Sequence, residues 1–351
     1  MLVNWNVSRD NKLGKYLQAP NILAQNQKYW FFRHWPDVKV EVDVIDYSQF
    51  PLVHSIEKNL LRFYCVQALK ALPLIPRYDV IISHGAQSGI FLAFLRSVLG
   101  IDQPPHVIID VGCLNGGRSR QPELLLFQFA MRSVSGIIYH ATPQRKHYKR
   151  YFPSLAKKAF FVPFGVDTEF FAPVEVKPGD YILSIGYKLR DWKALLEAFR
   201  NIQTDIELKI VGPEKNDLKV GDLPSNVSYL PYVPVTVLKD LIARAGFIVV
   251  PLMDIPYAHG QMTLLQSMAM GKAVIVTKVA ATSEYVSDGY DGLFVKPNDA
   301  YDMKEKISFL LGNPAEIEKL GKNARRSTEQ KFNERNMAAG IFSALIQLSV
   351  F

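Results

Sequence analysis

A glycine turn at residues 259–261 offers the clearest place for anion chemistry in this sequence. The preceding run, residues 246–252, is almost wholly apolar and predicts a buried parallel strand. The predicted helix starts near Gly260, so the free N–H groups of its first turn meet the carboxyl edge of the sheet. The amides from Gly260 to Met262 and the Thr263 hydroxyl would hold a diphosphate there. An ordinary βαβ unit without a ligand has the same pattern.

Two basic side chains follow another predicted strand. Lys188 and Arg190 come shortly after Gly186, at the end of the apolar run 181–185. A diphosphate carries about two negative charges and needs fixed positive groups, which Lys and Arg can supply. The alternative is that both side chains are ordinary solvated surface residues.

Polar loops also follow two predicted strands in the first half of the chain. One contains His84, and the other contains Asp110 and Arg118, with Arg120 close by. Asp110 is placed either to accept a proton from a hydroxyl group or to cap the turn that follows it. The arginines would meet an acidic ligand or a departing phosphate.

Apolar runs that alternate with helical stretches must position these residues, a pattern typical of doubly wound parallel sheets. The predicted strands are residues 38–45, 80–83, 107–111, 137–139, 181–185, 207–211, 227–230, 247–252, 273–277 and 293–295. The predicted helices include residues 88–99, 193–201, 235–245, 260–270 and 336–348. Proline and glycine recur in residues 163–178, which predicts a hinge between two halves.

Composition agrees with a two-domain globular protein. The chain has 351 residues, of which 48% are hydrophobic and 21% charged. Its net charge of +8 favours anionic partners. No zinc-finger, RNP-like or helix-turn-helix signature accompanies that charge, so we expect no nucleic-acid partner. The two cysteines, Cys65 and Cys113, form neither a disulfide framework nor a CxxC metal pair.

The sequence predicts a cytosolic protein. No apolar run approaches the roughly 20 residues that span a bilayer, and residues 1–6 do not resemble a signal peptide. Basic and aromatic residues cluster at 29–35 and 145–152. On an interfacial helix they would place the protein peripherally at the inner face of a membrane. The alternative is a solvated face over a packed aromatic stripe.

Several motifs together resemble the retaining GT-B glycosyltransferases, in particular glycosyltransferase family 4. The segment Gln266-Ser-Met-Ala-Met-Gly-Lys-Ala-Val, followed by Glu284-Tyr-Val-Ser-Asp-Gly-Tyr-Asp-Gly-Leu-Phe-Val, is similar to the family signature. Residues 162–173 are similar to its interdomain segment, and residues 183–199 to its phosphate-binding strand, loop and helix.

This resemblance implies an α/β GT-B fold, with two Rossmann-like doubly wound domains facing a cleft and a C-terminal helix crossing back to the first domain. We expect an acceptor-binding domain at residues 1–164, a nucleotide-sugar-binding domain at 165–335 and the returning helix at 336–351. The implied reaction is retaining, metal-independent transfer of a sugar from a nucleotide-diphosphate sugar to a glycan, lipid-linked or small-molecule acceptor, without a resident cofactor. A nucleotide-sugar epimerase or hydrolase, and a noncatalytic nucleotide-sugar-binding subunit, are alternatives.

The resemblance also assigns roles to single residues. Arg190 takes the place of the usual lysine, and Lys188 or Tyr187 that of the preceding arginine. The usual pair of glutamates becomes Ala258 and Gln266, so both carboxylates are missing, although an amide can still hold ribose hydroxyls. The implied catalytic residues are Asp110, Lys188, Arg190 and His259. The implied donor-binding residues are Gly186, Lys188, Arg190, Tyr232, Val233, Gly260, Gln261, Met262, Thr263 and Gln266, and the acceptor-side residues are His84 and Arg118.

Overall fold

The chain divides into two units, each built on one parallel sheet. Unit 1 comprises Met1–Pro163 and Met337–Phe351, and unit 2 comprises Phe164–Asn336. The structure, a computed structural model, describes residues 1–350 apart from 36–37, 47–52, 54–55, 58–62, 113, 115–120, 178–180, 213–217 and 219–222. Arg118, Arg120 and Cys113 therefore lie outside the described residues.

Unit 1 contains a five-stranded sheet in the order β1-β2-β3-β4-β5. Its strands are β1 (Leu2–Val3), β2 (Ile81–His84), β3 (His106–Asp110), β4 (Gly136–Tyr139) and β5 (Ala159–Phe161). Its helices are α1 (Cys65–Ala71), α2 (Ala86–Leu99), α3 (Gln121–Ala130), α4 (Gln144–Tyr151) and α5 (Pro153–Ala156). Shorter 3-10 helices cover Asn11–Tyr16, Ala19–Asn21, Trp30–His34, Leu72–Arg77 and Met131–Ser133. The central strands are buried along their whole length, as expected for isoleucine-rich parallel strands.

Unit 2 contains a six-stranded sheet in the order β11-β10-β9-β6-β7-β8. Its strands are β6 (Tyr181–Ile185), β7 (Glu207–Val211), β8 (Val227–Leu230), β9 (Ile248–Val250), β10 (Val274–Thr277) and β11 (Leu293–Val295). Its helices are α6 (Trp192–Arg200), α7 (Val235–Arg244), α8 (Gln261–Ala269), α9 (Ala300–Leu311) and α10 (Pro314–Gln330), and α11 (Glu334–Gln347) leaves the unit. The strand order reverses between β6 and β9, which is where such sheets bind ligands.

Hydrophobic residues cover both faces of the unit 2 sheet. Because side chains alternate along a strand, Leu183 packs with α7 and α8, whereas Ile182 packs with α6 and α9. Helix α10 approaches the turn after α8 very closely, since a Cβ atom on Gly321 would lie 2.2 Å from the Gly271 carbonyl oxygen. The sheet thus holds the carboxyl ends of β6 and β9 in a fixed arrangement.

The C-terminal helix α11 completes unit 1. Its residues from Met337 onwards belong to that unit, and the Trp35 indole donates a hydrogen bond to the Ala338 carbonyl (3.0 Å). Gly340 and Gly136 leave room for the side chains of Val162 and Leu348. The predicted helix that returns to the first domain is confirmed.

The prediction of a strand at residues 38–45 is wrong. Among the described residues, only Ile45 of this segment pairs with a strand, through a bridge to Leu2. The carbonyls of Val38 and Val44 accept hydrogen bonds from the side chains of Lys28 and Arg9 instead of from a neighbouring strand. The edge strand at this position is β1, which the sequence pattern did not indicate.

The aromatic residues at 29–35 are buried, so they cannot form a membrane-facing surface in this structure. Tyr29, Trp30, Phe31, Phe32 and Trp35 pack against one another and against α11. None of the helices within the described ranges is both long and apolar enough to cross a membrane. The packed aromatic stripe is the correct interpretation of this segment.

Candidate functional site

Arg190 joins the two loops that follow β6 and β9. Its guanidinium donates hydrogen bonds to the carbonyls of Ile185 and Lys188 (both 3.1 Å) and to the Thr263 hydroxyl (3.3 Å). Its backbone forms an antiparallel bridge with Leu252. Because Thr263 is the third residue of α8, the arginine lies beside the N-terminus of that helix.

Two local features of the sequence allow this position. Gly186 has no side chain, and a Cβ atom there would lie 2.2 Å from Nε of Arg190. Leu189 adopts a left-handed conformation with φ of 59°, which turns the chain sharply before Arg190. Asp191 then caps α6 by accepting a hydrogen bond from the Ala194 amide (3.0 Å). The loop is thus shaped around the arginine side chain.

Gly260 begins α8 in a left-handed conformation with φ of 79°. A Cβ atom on Gly260 would lie 2.7 Å from the Leu252 side chain, so the backbone approaches the end of β9 closely. No side chain of a described residue caps this end of the helix, and its first turn, which begins with Gln261 and Met262, has no acidic residue. The N–H groups of the turn and the positive helix dipole are therefore available to an anion.

The electrostatics of this site are unbalanced. Burial lowers the pKa of the Arg190 guanidinium to about 10, so the group is still charged at neutral pH. Within the described ranges, no carboxylate forms an ion pair with it. A cation at the positive end of a helix is repelled by the dipole. An anion bound there would relieve that repulsion.

Lys188 and two tyrosines extend the site across the neighbouring strand ends. The Lys188 side chain is exposed. The rings of Tyr187 and Tyr232 lie 5.5 Å apart and are 40% and 72% exposed. Gly212, at the end of β7, makes room for Tyr187, because a Cβ atom there would lie 2.7 Å from its ring. Val233, next to Tyr232, packs against the core.

His259 does not present a free ring nitrogen in this structure. Its Nδ1 lies 2.9 Å from the Tyr257 carbonyl, and its Nε2 lies 3.0 Å from the Met253 carbonyl. Burial lowers the pKa of the imidazole, and Arg190 lowers it further, although both carbonyls oppose the shift. Both ring nitrogens thus lie next to protein carbonyls, and the contact of His259 with a ligand stays a prediction. The ring instead connects the two ends of the loop before α8.

The two glutamines of α8 are buried. The Gln261 side chain donates a hydrogen bond to the Ala281 carbonyl (3.0 Å), so this residue offers its backbone amide to a ligand rather than its side chain. Gln266 is 4% exposed and lies one turn deeper in the helix. Ala258 is buried as well.

Asp110 caps the turn after β3, and its catalytic role stays a prediction. This residue at the end of β3 is fully buried, and its Oδ1 accepts hydrogen bonds from the amides of Gly112 (2.8 Å) and Leu114 (3.5 Å). Its Oδ2 accepts a hydrogen bond from the Tyr148 hydroxyl (2.7 Å). The carboxylate caps the following turn, which was the alternative interpretation of its position.

His84, at the end of β2, has a buried imidazole in an aromatic setting. Its ring lies 4.9 Å from that of Trp5, 5.0 Å from that of Trp30 and 6.5 Å from that of His140. Neither ring nitrogen has a hydrogen-bond partner among the described residues. Burial, with a smaller contribution from His140, lowers the pKa of His84 to about 3, so the ring is neutral at pH 7.

The predicted residues thus fall into two groups. Gly186, Lys188, Arg190, Gly260 and Thr263 lie together in unit 2, whereas His84 lies in unit 1 at the carboxyl edge of the other sheet. Sequence reasoning missed Trp5 and Trp30, which flank His84. Because both tryptophans lie far from His84 in the sequence, no local pattern indicates this contact.

Residues 181–313 match the family model of the Glycosyl transferases group 1. An uncharacterized glycosyltransferase of Methanocaldococcus jannaschii is 28% identical over 160 residues, covering 44% of both chains. The MMP alpha-(1->4)-mannosyltransferase of Mycolicibacterium hassiacum is 27% identical over 233 residues, covering 62% of this chain and 52% of its own. The chain spans about half the length of these curated relatives.

A solved structure shares the fold over nearly the whole chain. The crystal structure of Anabaena HepE in complex with UDP and glucose matches 99% of this chain and all of its own, with a TM-score of 0.69 and 15% identity. At that identity the likeness concerns the fold alone. The resemblance inferred from the motifs is therefore confirmed: the chain is similar to group 1 glycosyltransferases in the sequence of unit 2, and its fold is GT-B.

Proposed function

We propose that this protein is a retaining glycosyltransferase that uses a nucleotide-diphosphate sugar as its donor. The observation that carries the proposal is Arg190, a charged guanidinium without a carboxylate partner among the described residues, beside the uncapped N-terminus of α8. A diphosphate supplies the negative charge that this arrangement lacks. The matched family model covers the same loop and helix.

In the proposed reaction, the bond between the sugar C1 and the β-phosphate oxygen breaks, and negative charge develops on the diphosphate. Arg190, Lys188 and the N–H groups at the start of α8 stabilise that charge without a divalent metal. Because these groups are fixed before the reaction, they bind the transition state more strongly than the intact donor. The guanidinium and the helix end are thus the main source of catalysis.

The rest of the donor would extend along the carboxyl ends of β6, β7 and β8. Tyr187 and Tyr232 expose their rings there, and the backbone of the half-buried Val233 would hydrogen-bond a base. Gln266 would bind ribose hydroxyls through its amide once the donor is in place. UDP is the first nucleotide to test, since it is bound in the HepE crystal structure.

We assign the acceptor hydroxyl to the carboxyl edge of unit 1, at His84. A neutral imidazole can hydrogen-bond a hydroxyl group, and burial keeps His84 neutral at pH 7; because both ring nitrogens are covered in this structure, the acceptor would have to displace the atoms around them. The acceptor oxygen attacks the sugar C1 from the face that the diphosphate leaves, and its proton moves to the departing diphosphate. This step needs no carboxylate from Asp110, whose side chain caps a turn.

The first experiment is calorimetric titration with UDP and GDP in the presence of EDTA. We expect one of them to bind, and Arg190→Ala to weaken binding and slow transfer by about 10- to 1000-fold. Lys193→Ala is the matched control, because it removes an exposed cation three residues further on without touching α8. Binding that disappears with EDTA, or equal activity of both variants, would refute the metal-free diphosphate site.

A noncatalytic nucleotide-sugar-binding subunit is the second candidate. Two observations favour it: Ala258 and Gln266 replace the glutamates of the resembled family, and Asp110 is committed to a structural role. A donor that binds but is never consumed, with any acceptor tested, would establish this candidate. Consumption without an acceptor would instead indicate a hydrolase or an epimerase.

A further inference from the structure

Helix α2 of unit 1 has its charged residue inside and apolar residues outside. Arg96, the only charged residue of this 14-residue helix, is fully buried. The other side of the helix holds Phe91, Leu95 and Val98, whose spacing of four and three residues places them on one face. Val98 is 58% exposed, and the other two are half-buried. A surface helix normally exposes polar residues, and a helix that is hydrophobic on every side is normally covered.

The helices on either side of α2 continue this apolar surface. Because the strands of the sheet follow one another in the order β1 to β4, right-handed connections place α1, α2 and α3 in one layer. On α3, the ring of Phe129 lies 6.0 Å from that of Phe94, and Leu126, about one turn earlier, is 47% exposed. On α1, which packs along α2, Leu69 is 54% exposed. We define the apolar face by six residues of these helices: Leu69, Phe91, Leu95, Val98, Leu126 and Phe129.

The apolar face lies on helices that carry almost no charge. Together α1, α2 and α3 contain three charged residues, Lys70, Arg96 and Glu123. Arg96 is buried, and the charges of the other two cancel. The whole chain carries a net charge of +8, so two copies repel each other wherever basic surfaces meet. The apolar face is a surface on which two copies can meet without that repulsion.

The size of the layer is that of a dimer interface. A helix of 14 residues is about 21 Å long, and neighbouring helices pack about 8–10 Å apart. The outline of the three helices therefore covers up to roughly 500 Å², while a stable interface takes about 800 Å² of accessible surface from each partner. Since protruding side chains have more accessible surface than the flat outline, the face and its rim together reach that area.

We propose that the apolar face is the interface of a homodimer, in which α2 of one protomer packs on α2 of its partner across a two-fold axis. Such an interface must be complementary to itself, and an apolar face without net charge meets that condition. The core of an interface is typically rich in aromatic residues and poor in charge, as Phe91 and Phe129 with their neighbours are here. A bilayer is bound by apolar residues interspersed with cations, and α2 offers none, because Arg96 is buried. This inference does not depend on the proposed function.

The test is sedimentation velocity of the full chain across the micromolar range. We expect a dimer that salt does not weaken, because salt screens the repulsion between the copies and leaves apolar contacts intact. Val98→Arg should raise the dissociation constant at least about 30-fold, because two valines lose their contacts and like charges are brought together. If this variant does not fold, Leu69→Arg tests the same face from α1.

The matched control is Val237→Arg, which places the same charge at an exposed valine of helix α7 in unit 2. This variant should dimerise like the wild type. A wild type that is monomeric throughout the micromolar range would overturn the proposal, whether or not it then floats with lipid vesicles or binds another protein. A Val98→Arg variant that dimerises as tightly as Val237→Arg would overturn it as well.

Titration of Val98→Arg with UDP keeps this proposal separate from the proposed function, because Val98 lies in unit 1 and the donor site in unit 2. A protein that dimerises through α2 but binds no nucleotide would refute the proposed function alone. A monomeric protein that binds UDP would refute the dimer alone.

Discussion

Replacing Gly186 by alanine should displace Arg190 from the N-terminus of α8. A Cβ atom at Gly186 would lie 2.2 Å from Nε and 2.6 Å from Cζ of the arginine, far inside the distance that two such atoms tolerate. The glycine backbone does not have a positive φ, so alanine can adopt its conformation. The steric clash should therefore move the Arg190 guanidinium and leave the backbone in place.

The size of the effect follows from the hydrogen bonds that are lost. The guanidinium donates to the carbonyls of Ile185 and Lys188 and to the Thr263 hydroxyl. Because the displaced group regains water, we expect a net loss of about 1–3 kcal/mol instead of the sum of three bonds. For a domain of this size, 1 kcal/mol lowers Tm by about 2–4 °C. The variant should therefore melt about 2–12 °C below the wild type.

The decisive assay is a double-mutant cycle. We would measure Tm and the affinity for UDP in the wild type, in Gly186→Ala, in Arg190→Ala and in the double variant. Gly186→Ala should be costly in the wild-type background and nearly neutral once Arg190 is alanine, because the conflicting side chain is then absent. An equal cost in both backgrounds, or wild-type UDP affinity in Gly186→Ala, would refute this account of the loop.

Three further predictions follow from other parts of the structure. Burial lowers the pKa of His84 and His106 to about 3 and of His140 to about 4, so the unfolded chain takes up three more protons as the pH falls below 6.5. These three groups alone should lower stability by up to about 4 kcal/mol per pH unit between pH 6.5 and 4; a flat Tm between pH 7 and 4 would contradict this. Gln266→Leu should weaken UDP binding about tenfold and leave pyrophosphate binding unchanged, since only the ribose loses a partner; calorimetry with both ligands decides. Gly321→Ala should destabilise unit 2 by several kcal/mol, about 3 or more, because the new Cβ atom would clash with the Gly271 backbone, whereas Gly312→Ala, whose Cβ atom would make only ordinary van der Waals contacts, should melt like the wild type.

The fold of unit 2 could be predicted closely from the sequence. The strands at residues 207–211, 227–230 and 293–295 lie where the apolar runs predicted them. Buried parallel strands are continuous apolar runs, and that signal is local. In unit 1, β1 is only two residues long, and β5 is a half-buried strand of three residues without the buried apolar run that marks β11. Residues 38–45 alternate like a strand, but their carbonyls pair with side chains.

The candidate site could be predicted only where its chemistry is local in sequence. Gly186, Arg190 and Gly260 could be proposed as site residues because each lies in a short segment between a predicted strand and a predicted helix. The capping role of Asp110 could not be distinguished from catalysis, because it depends on Tyr148, 38 residues away. The closeness of both His259 ring nitrogens to backbone carbonyls, only one of which a neutral ring can donate to, depends on the path of a loop that no motif describes.

Unit 1 is complete only after helix α11 has been synthesised, whereas unit 2 does not need the part of that helix that follows Asn336. The hydrogen bond from Trp35 to Ala338 joins residues 303 positions apart, and closing so long a loop is slow. When residues 164–336 have left the ribosome, unit 2 is complete and can fold. Unit 1 still lacks the helix that covers its aromatic residues. We therefore expect the unit that is translated first to finish folding last.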